Sequence, residues 1–301
     1  MAAGTKKVVY AALAGNLAIA VTKFIAAAIT GSSAMLSEGV HSVVDTGNQA
    51  LLLYGMRRAK VPADERFPFG RGKEIYFWSF VVALLVFALG AGVSFYQGVH
   101  HILYPAEMEH PIVNYGVLAF AALFETGTWL VAFRALRAKA GSRSTVEAVR
   151  RGKDPTDFAV LLEDSAALAG IAVAFVGVLL GQLTGDARFD GAASMVIGLI
   201  LGATALWLAR ETKGLLIGES ANREVVAEIK RLAGTYREVE RVNEVLTMHV
   251  GPEYILANIS VEIACDVPRN RAHDIMDELD ARIKKADARV KRVFIESQNV
   301  C

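Results

Sequence analysis

Six stretches of this 301-residue chain are apolar for about 20 residues each, the length a helix needs to cross a hydrocarbon layer roughly 30 Å thick. They fall at approximately residues 8–29, 34–56, 75–98, 112–135, 157–181 and 189–209. The basic residues between them fix an orientation. Lys6 and Lys7 precede the first stretch, Arg57, Arg58, Lys60, Arg66, Arg71 and Lys73 follow the second, and Arg134, Arg137, Lys139, Arg143, Arg150, Arg151 and Lys153 follow the fourth. Such segments stay on the cytoplasmic side, so both termini are expected inside. The connections Gly31-Ser32-Ser33, His100 to Pro111 and Gly181 to Asp190 are poor in Lys and Arg and carry Glu107, Glu109, Asp186 and Asp190. These are expected outside. The first apolar run leads to Thr30 and then directly into the second, without a convincing cleavage site, and is read as a retained span.

After Arg210 the apolar runs stop and shorter periods take over. Val225, Val226, Ile229, Leu232 and Ala233 share a helical face with Asn222 as N-cap, and Ala272, Ile275, Met276, Leu279 and Ile283 make a second such stripe. Val242 to Val250, Tyr254 to Ala264 and Lys291 to Glu296 read as strands, the first two split by Gly251-Pro252-Glu253. The expectation is a membrane domain over 1–210, all-α with six transmembrane helices, and a cytoplasmic α+β domain over 211–301 of order αββαβ.

The second apolar stretch is unusual in what it carries. Glu38, His41, Asp45 and Asn48 are spaced by three, four and three residues and therefore face one way over three helical turns. An ionisable group at membrane depth costs about 2.5–3.5 kcal/mol and generally marks an ion path. The fifth stretch holds a second such feature, the adjacent Glu163 and Asp164. If the two helices are neighbours, His41, Asp45 and Asp164 supply one nitrogen and several oxygens to a divalent cation, with Glu163, Glu38 or Asn48 completing the shell. Imidazole with carboxylates suits zinc, cobalt, iron(II) or manganese(II), and the lack of cysteine there disfavours copper(I). The bland readings are a packed, hydrogen-bonded His41 and a solvated helix start at Glu163 and Asp164. Lys23 in the first stretch is read as structural glue for Glu38 or another carboxylate. Glu125 in the fourth is open between a cavity contact and a packing role.

Composition narrows the function class. A net charge of +1 supplies no basic field for nucleic acid. The two cysteines, Cys265 and Cys301, sit in no CxxC, so neither a disulfide scaffold nor a cysteine zinc cluster is expected; a buried small side chain and a frayed tail are the simpler readings. No P-loop, kinase signature or aspartyl-phosphate motif couples the chain to ATP, and no HExxH or nucleophile dyad accompanies the charged stripe. An enzyme is not expected.

The ordered motifs, taken together, resemble the cation diffusion facilitator family of divalent metal/proton antiporters over nearly the whole length. They are Gly31-Ser32-Ser33-Ala34-Met35-Leu36-Ser37-Glu38, His41-x-x-x-Asp45, Phe69-Gly70-Arg71-Gly72-Lys73-Glu74, Glu74-Ile75-Tyr76-Phe77-Trp78-Ser79 and Glu163-Asp164-Ser165-Ala166-Ala167. The last two look most like the branch that includes the mitochondrial zinc exporter. The resemblance implies six spans, a metallochaperone-like cytoplasmic domain that dimerises, and efflux of a divalent metal, zinc first, in exchange for protons. It also exposes a departure. The family's fifth-span pair is His-x-x-x-Asp, and with Asp164 as the aspartate, Val160 stands where the histidine belongs. In the cytoplasmic domain His249 and His273 fall where relatives carry histidines that bind regulatory metal, while Val293 to Gln298 lacks another.

The mechanism follows from acid–base chemistry. An imidazole titrates near pH 6.5, so metal and protons compete for it across the physiological range. The expectation is a homodimeric integral protein of a bacterial inner membrane, with lipid, protons and divalent cations as its partners. The alternative is a degenerate relative, a membrane metal sensor or assembly scaffold without flux.

Overall fold

The structure, a computed structural model, describes residues 3–105, 110–140 and 155–300. Glu107, Glu109, Arg143, Arg150, Arg151, Lys153 and Cys301 lie outside the described residues. The chain divides into two units, one of Met1–Met56 with Phe77–Thr212, the other of Arg57–Tyr76 with Lys213–Cys301.

The first unit is built from long helices. Helix α1 (Ala3–Thr30) ends at Gly31, whose φ of +69° and N–H to the Ala27 carbonyl make a left-handed stop that favours glycine. Helix α2 (Ser33–Ala59) follows at once. Next, α3 (Glu74–Leu85) passes through a π-helical stretch (Val86–Ala91) into α4 (Gly92–Leu103), giving one rod from Glu74 to Leu103. Proline opens both α5 (Pro111–Ala140) and α6 (Pro155–Thr184), where its missing N–H costs nothing. Gly185, at φ +71°, ends α6, and α7 (Arg188–Ile217) completes the set.

Four of these rods are long and apolar enough to cross a membrane, namely Glu74–Leu103, Pro111–Ala138, Phe158–Thr184 and Arg188–Ile217. Among the described residues α1 and α2 do not meet that test. Helix α2 has the length, 27 residues, but spends it on Glu38, His41, Asp45 and Asn48, and the part of α1 whose side chains are described, Asn16–Thr30, is a shorter apolar helix.

Small residues bring the helices close. A Cβ at Gly98 of α4 would sit 2.6 Å from the Met195 N and 2.7 Å from the Gly191 carbonyl of α7. One at Gly198 would sit 2.8 Å from the Phe95 N. Helices α5 and α6 are tied at two levels, by Tyr115 donating to Gln182 at 2.9 Å and by Trp129 donating to Ser165 at 2.9 Å.

The second unit has the expected αββαβ order. Helix α8 (Arg223–Ala233) starts after Asn222, whose carbonyl accepts from Val225 and Val226. Strands β1 (Val239–Gly251) and β2 (Tyr254–Ala264) pair antiparallel, α9 (Arg269–Ala286) crosses over, and β3 (Val290–Val300) returns parallel to β2 at the centre of a sheet ordered β1-β2-β3. Alternate residues of β2, Ile255, Ala257, Ile259, Val261 and Ile263, are buried in one cluster with Ile229 and Leu232 of α8 and Ile275, Leu279 and Ile283 of α9. Each buried Ile or Leu there contributes about 1.5–3 kcal/mol. Cys265 corrects the expectation of a buried thiol, for it is exposed just past β2 and disulfide-bonded.

The segment 57–76 belongs to this second unit and is tightly folded. Asp64 and Phe67 exchange backbone hydrogen bonds, and the Asp64 carboxylate accepts from the Phe67 N–H and, at 2.7 Å, from Arg71. The Arg71 guanidinium also lies 4.4 Å from the centre of the Phe67 ring. Gly72 is required, because a Cβ would come within 2.5 Å of the Val250 carbonyl.

Candidate functional site

The polar interior of the first unit starts from the N-terminus of α2. A new helix has N–H groups without partners, and here Asp190 of α7 supplies the acceptor. Its carboxylate, fully buried, accepts from Ser32 Oγ at 2.6 Å, Ser33 Oγ at 2.9 Å, the Ser33 N–H and the Ala34 N–H at 3.2 Å. His101 of α4, also buried, brings Nε2 to 4.0 Å from it. Asp190 is therefore an internal cap, a different role from the exposed loop acid expected.

One turn on, Ser37 meets Ser194 of α7 at 2.8 Å. Glu38 is fully buried and accepts from Lys23 Nζ at 2.9 Å, while the same ammonium donates to Ser42 at 2.9 Å. The glue expected of Lys23 is thus in place, between α1 and α2.

His41 and Asp45 follow on the same face. Nδ1 of His41 stands 3.4 Å from Asp45 Oδ1, and neither ring nitrogen nor Asp45 Oδ1 has a hydrogen-bond partner among the described residues. Asn48, buried one turn further, donates to Glu163 Oε1 of α6 at 3.0 Å, which makes α2 and α6 neighbours. Its own Oδ1 has no hydrogen-bond partner among the described residues.

The adjacent carboxylates of α6 diverge, as consecutive helical residues separated by about 100° should. Glu163 turns to Asn48 and is the carboxyl that acts most strongly on Asp45. Asp164 lies within the electrostatic reach of Glu125 of α5, with Thr128 near enough for a side-chain hydrogen bond, and it acts on Asp45 as well, less strongly than Glu163. Both are buried, so the solvated helix start does not describe them. Glu125 is buried too, within the electrostatic reach of Lys23 and Glu38. Among the described residues, no three His, Cys, Asp or Glu side chains gather closely enough to hold a metal ion.

In the second unit the two histidines differ. His249 is buried on β1, with Nδ1 3.4 Å from the Gly251 carbonyl, and His273 is exposed on α9, 3.6 Å from Asp277.

A family model described as the cation efflux transmembrane domain matches residues 9–217. The chain belongs to the cation diffusion facilitator family. It is thus an integral membrane protein of a transporter family and not an enzyme. The human protein named proton-coupled zinc antiporter SLC30A9, mitochondrial, is 33% identical over 250 residues, covering 82% of this chain and 44% of that protein. Metal tolerance protein C4 of Arabidopsis thaliana is 30% identical over 253 residues, 82% of this chain and 55% of its own length. This family member therefore spans about half the length of those relatives. Manganese efflux system protein MneP of Bacillus subtilis is 24% identical over 97% of this chain and 95% of its own.

Proposed function

We propose that this family member exports a divalent cation from the cytoplasm in exchange for protons, by alternating access at a site made of His41, Asp45 and Glu163. The observation that carries the reading is the pair of buried His41 and half-buried Asp45 with open donor atoms, set beside Glu163 of the neighbouring helix. Asp164, within the electrostatic reach of both Glu125 and Asp45, is placed outside the closed ligand set, and Glu38 is held by Lys23. Glu163 has to leave Asn48 and swing to the His41–Asp45 pair for the ligand set to close. One imidazole with carboxylates suits zinc first, with manganese(II), iron(II) and cobalt as competitors. The names of a zinc antiporter and a manganese efflux protein among the relatives support the same group of metals.

The arrangement also explains exchange. Protons and metal are alternative partners for one imidazole and the same carboxylates, so arrival of one releases the other. We place α1 and α2 in the membrane beside the four apolar rods, giving six spans over 1–210, with 211–301 as a cytoplasmic dimerising domain in which His249 packs and regulatory metal at His249 and His273 is secondary. Both termini are cytoplasmic and the host is a bacterial inner membrane.

The test is zinc flux into proteoliposomes under an imposed proton gradient, repeated with manganese(II) and iron(II). Gradient-driven flux that disappears in Asp45→Ala is expected, and flux indifferent to the gradient would count against exchange. The distance of the acids from a closed ligand set favours a second reading, a membrane metal sensor or scaffold. No flux from a folded preparation would move it to first place.

A further inference from the structure

Lys23 is not accounted for by holding two helices together. A buried ammonium is expensive, and a hydrophobic pair of similar volume would join α1 to α2 at least as well. Its surroundings are those of a bound cation. Nζ lies 2.9 Å from a Glu38 carboxylate oxygen and 2.9 Å from the Ser42 hydroxyl. The other Glu38 oxygen, Oε1, is buried without a hydrogen-bond partner among the described residues and faces Gly170 of α6, where a Cβ would collide with it. Glu38, Ser42, Lys23 and Glu38 Oε1 are all withdrawn from solvent.

We propose that Glu38 and Ser42 form a latent second cation subsite, and that the Lys23 ammonium is the tethered cation that fills it. The donors are carboxylate and hydroxyl oxygens, the set that suits a hard divalent cation such as manganese(II). Glu38 and Ser42 flank His41 in sequence, so the ammonium also fixes the face of α2 that presents the imidazole. With Lys23 in place the cavity admits its one travelling ion at His41 and Asp45 and excludes a second. The part about the travelling ion rests on the function proposed above; the latent subsite does not.

The experiment counts manganese(II) bound by the full-length protein in detergent after equilibrium dialysis. Lys23→Gln is expected to gain one ion per chain relative to the native protein, whereas Lys23→Arg and the double variant Lys23→Gln/Glu38→Gln gain none. The added ion persists in Lys23→Gln/Asp45→Asn, although that change removes the ion of the transport site. A folded Lys23→Gln that binds no more manganese(II) than the native protein overturns the proposal. Should Lys23→Gln lose its fold, manganese(II) in the medium is expected to restore it by taking the vacated place, and failure to restore it overturns the proposal as well. A native protein that binds nothing while Lys23→Gln binds one ion would contradict the transport site and leave the latent subsite standing.

Discussion

Asn48 and Glu163 lie 115 positions apart in the chain, and a 3.0 Å hydrogen bond from the Asn48 amide to Glu163 Oε1 joins α2 to α6 beside the His41–Asp45 pair. In the function proposed above, this contact favours Glu163 over its neighbour Asp164 as the acid of α6 that serves the site. In that proposal it acts as a latch, because the Glu163 side chain turned toward Asn48 has to turn toward the His41–Asp45 pair to close on a metal.

Asn48→Ala removes the latch while leaving the acids. One hydrogen bond is worth about 0.5–1.5 kcal/mol, or up to about 3 when a charge is involved, so thermal stability in detergent falls modestly. Metal affinity is expected to rise, since Glu163 no longer has to be drawn from a partner. A zinc titration showing weaker binding in Asn48→Ala would make Asn48 a ligand through its free Oδ1 and not a latch.

Asp190 predicts a larger effect on stability. Asp190→Ala strands the Ser33 and Ala34 N–H groups and two hydroxyls in a buried place, at about 2 kcal/mol or more. Ser32→Ala removes only one of the four donors and costs less. Unfolding followed by thermal shift in detergent checks the order, and equal losses would refute the capping role.

The α4–α7 contact predicts a steric effect without chemistry. Gly98→Ala places a methyl against the Met195 N and the Gly191 carbonyl and costs about 1–3 kcal/mol, while Gly127→Ala on α5 meets nothing within 4 Å and is neutral or mildly stabilising. Thermal shift of the two variants side by side gives the comparison.

Asp287 predicts a pH effect outside the membrane. Hydrogen bonds from the Arg289 side chain hold its carboxyl below the usual range, against partial burial, which pushes the other way. A depressed folded-state value means the contribution is complete above the unfolded value of about 3.9 and is lost as pH falls through the folded one. Asp287→Asn removes that contribution. The stability difference between pH 7 and pH 3, read by hydrogen exchange at the β2–β3 ladder, therefore shrinks in the variant, and an unchanged difference would contradict the pairing.

Much of this was legible in sequence because it is local. The α2 stripe, the αββαβ order and the core residues of α8, β2 and α9 follow from periods of 3.6 and 2, and Lys23 with Glu38 follows from the scarcity of acceptors for a buried ammonium. What was not legible depends on contacts between distant segments. Asp190 sits at a loop edge and looks like a surface acid until Ser32 and Ser33, about 157 positions earlier, are seen to need an acceptor. Val160 drew attention to a missing histidine, yet the rotation of α6 is what brings Glu163 to Asn48 of α2. The inclusion of residues 57–76 in the second unit is carried by Gly72 lying against Val250, which no local pattern encodes.

The most direct test of the site is gradient-driven zinc flux in Glu163→Gln beside Asp164→Asn, at equal amounts of folded protein in proteoliposomes. The geometry predicts that Glu163→Gln loses flux at least a hundredfold, as Asp45→Ala does, while Asp164→Asn, facing Glu125 and Thr128, keeps a measurable fraction. The reverse order, with Asp164→Asn silent and Glu163→Gln near native, would contradict it and return the metal to the residue that aligns with the family's aspartate.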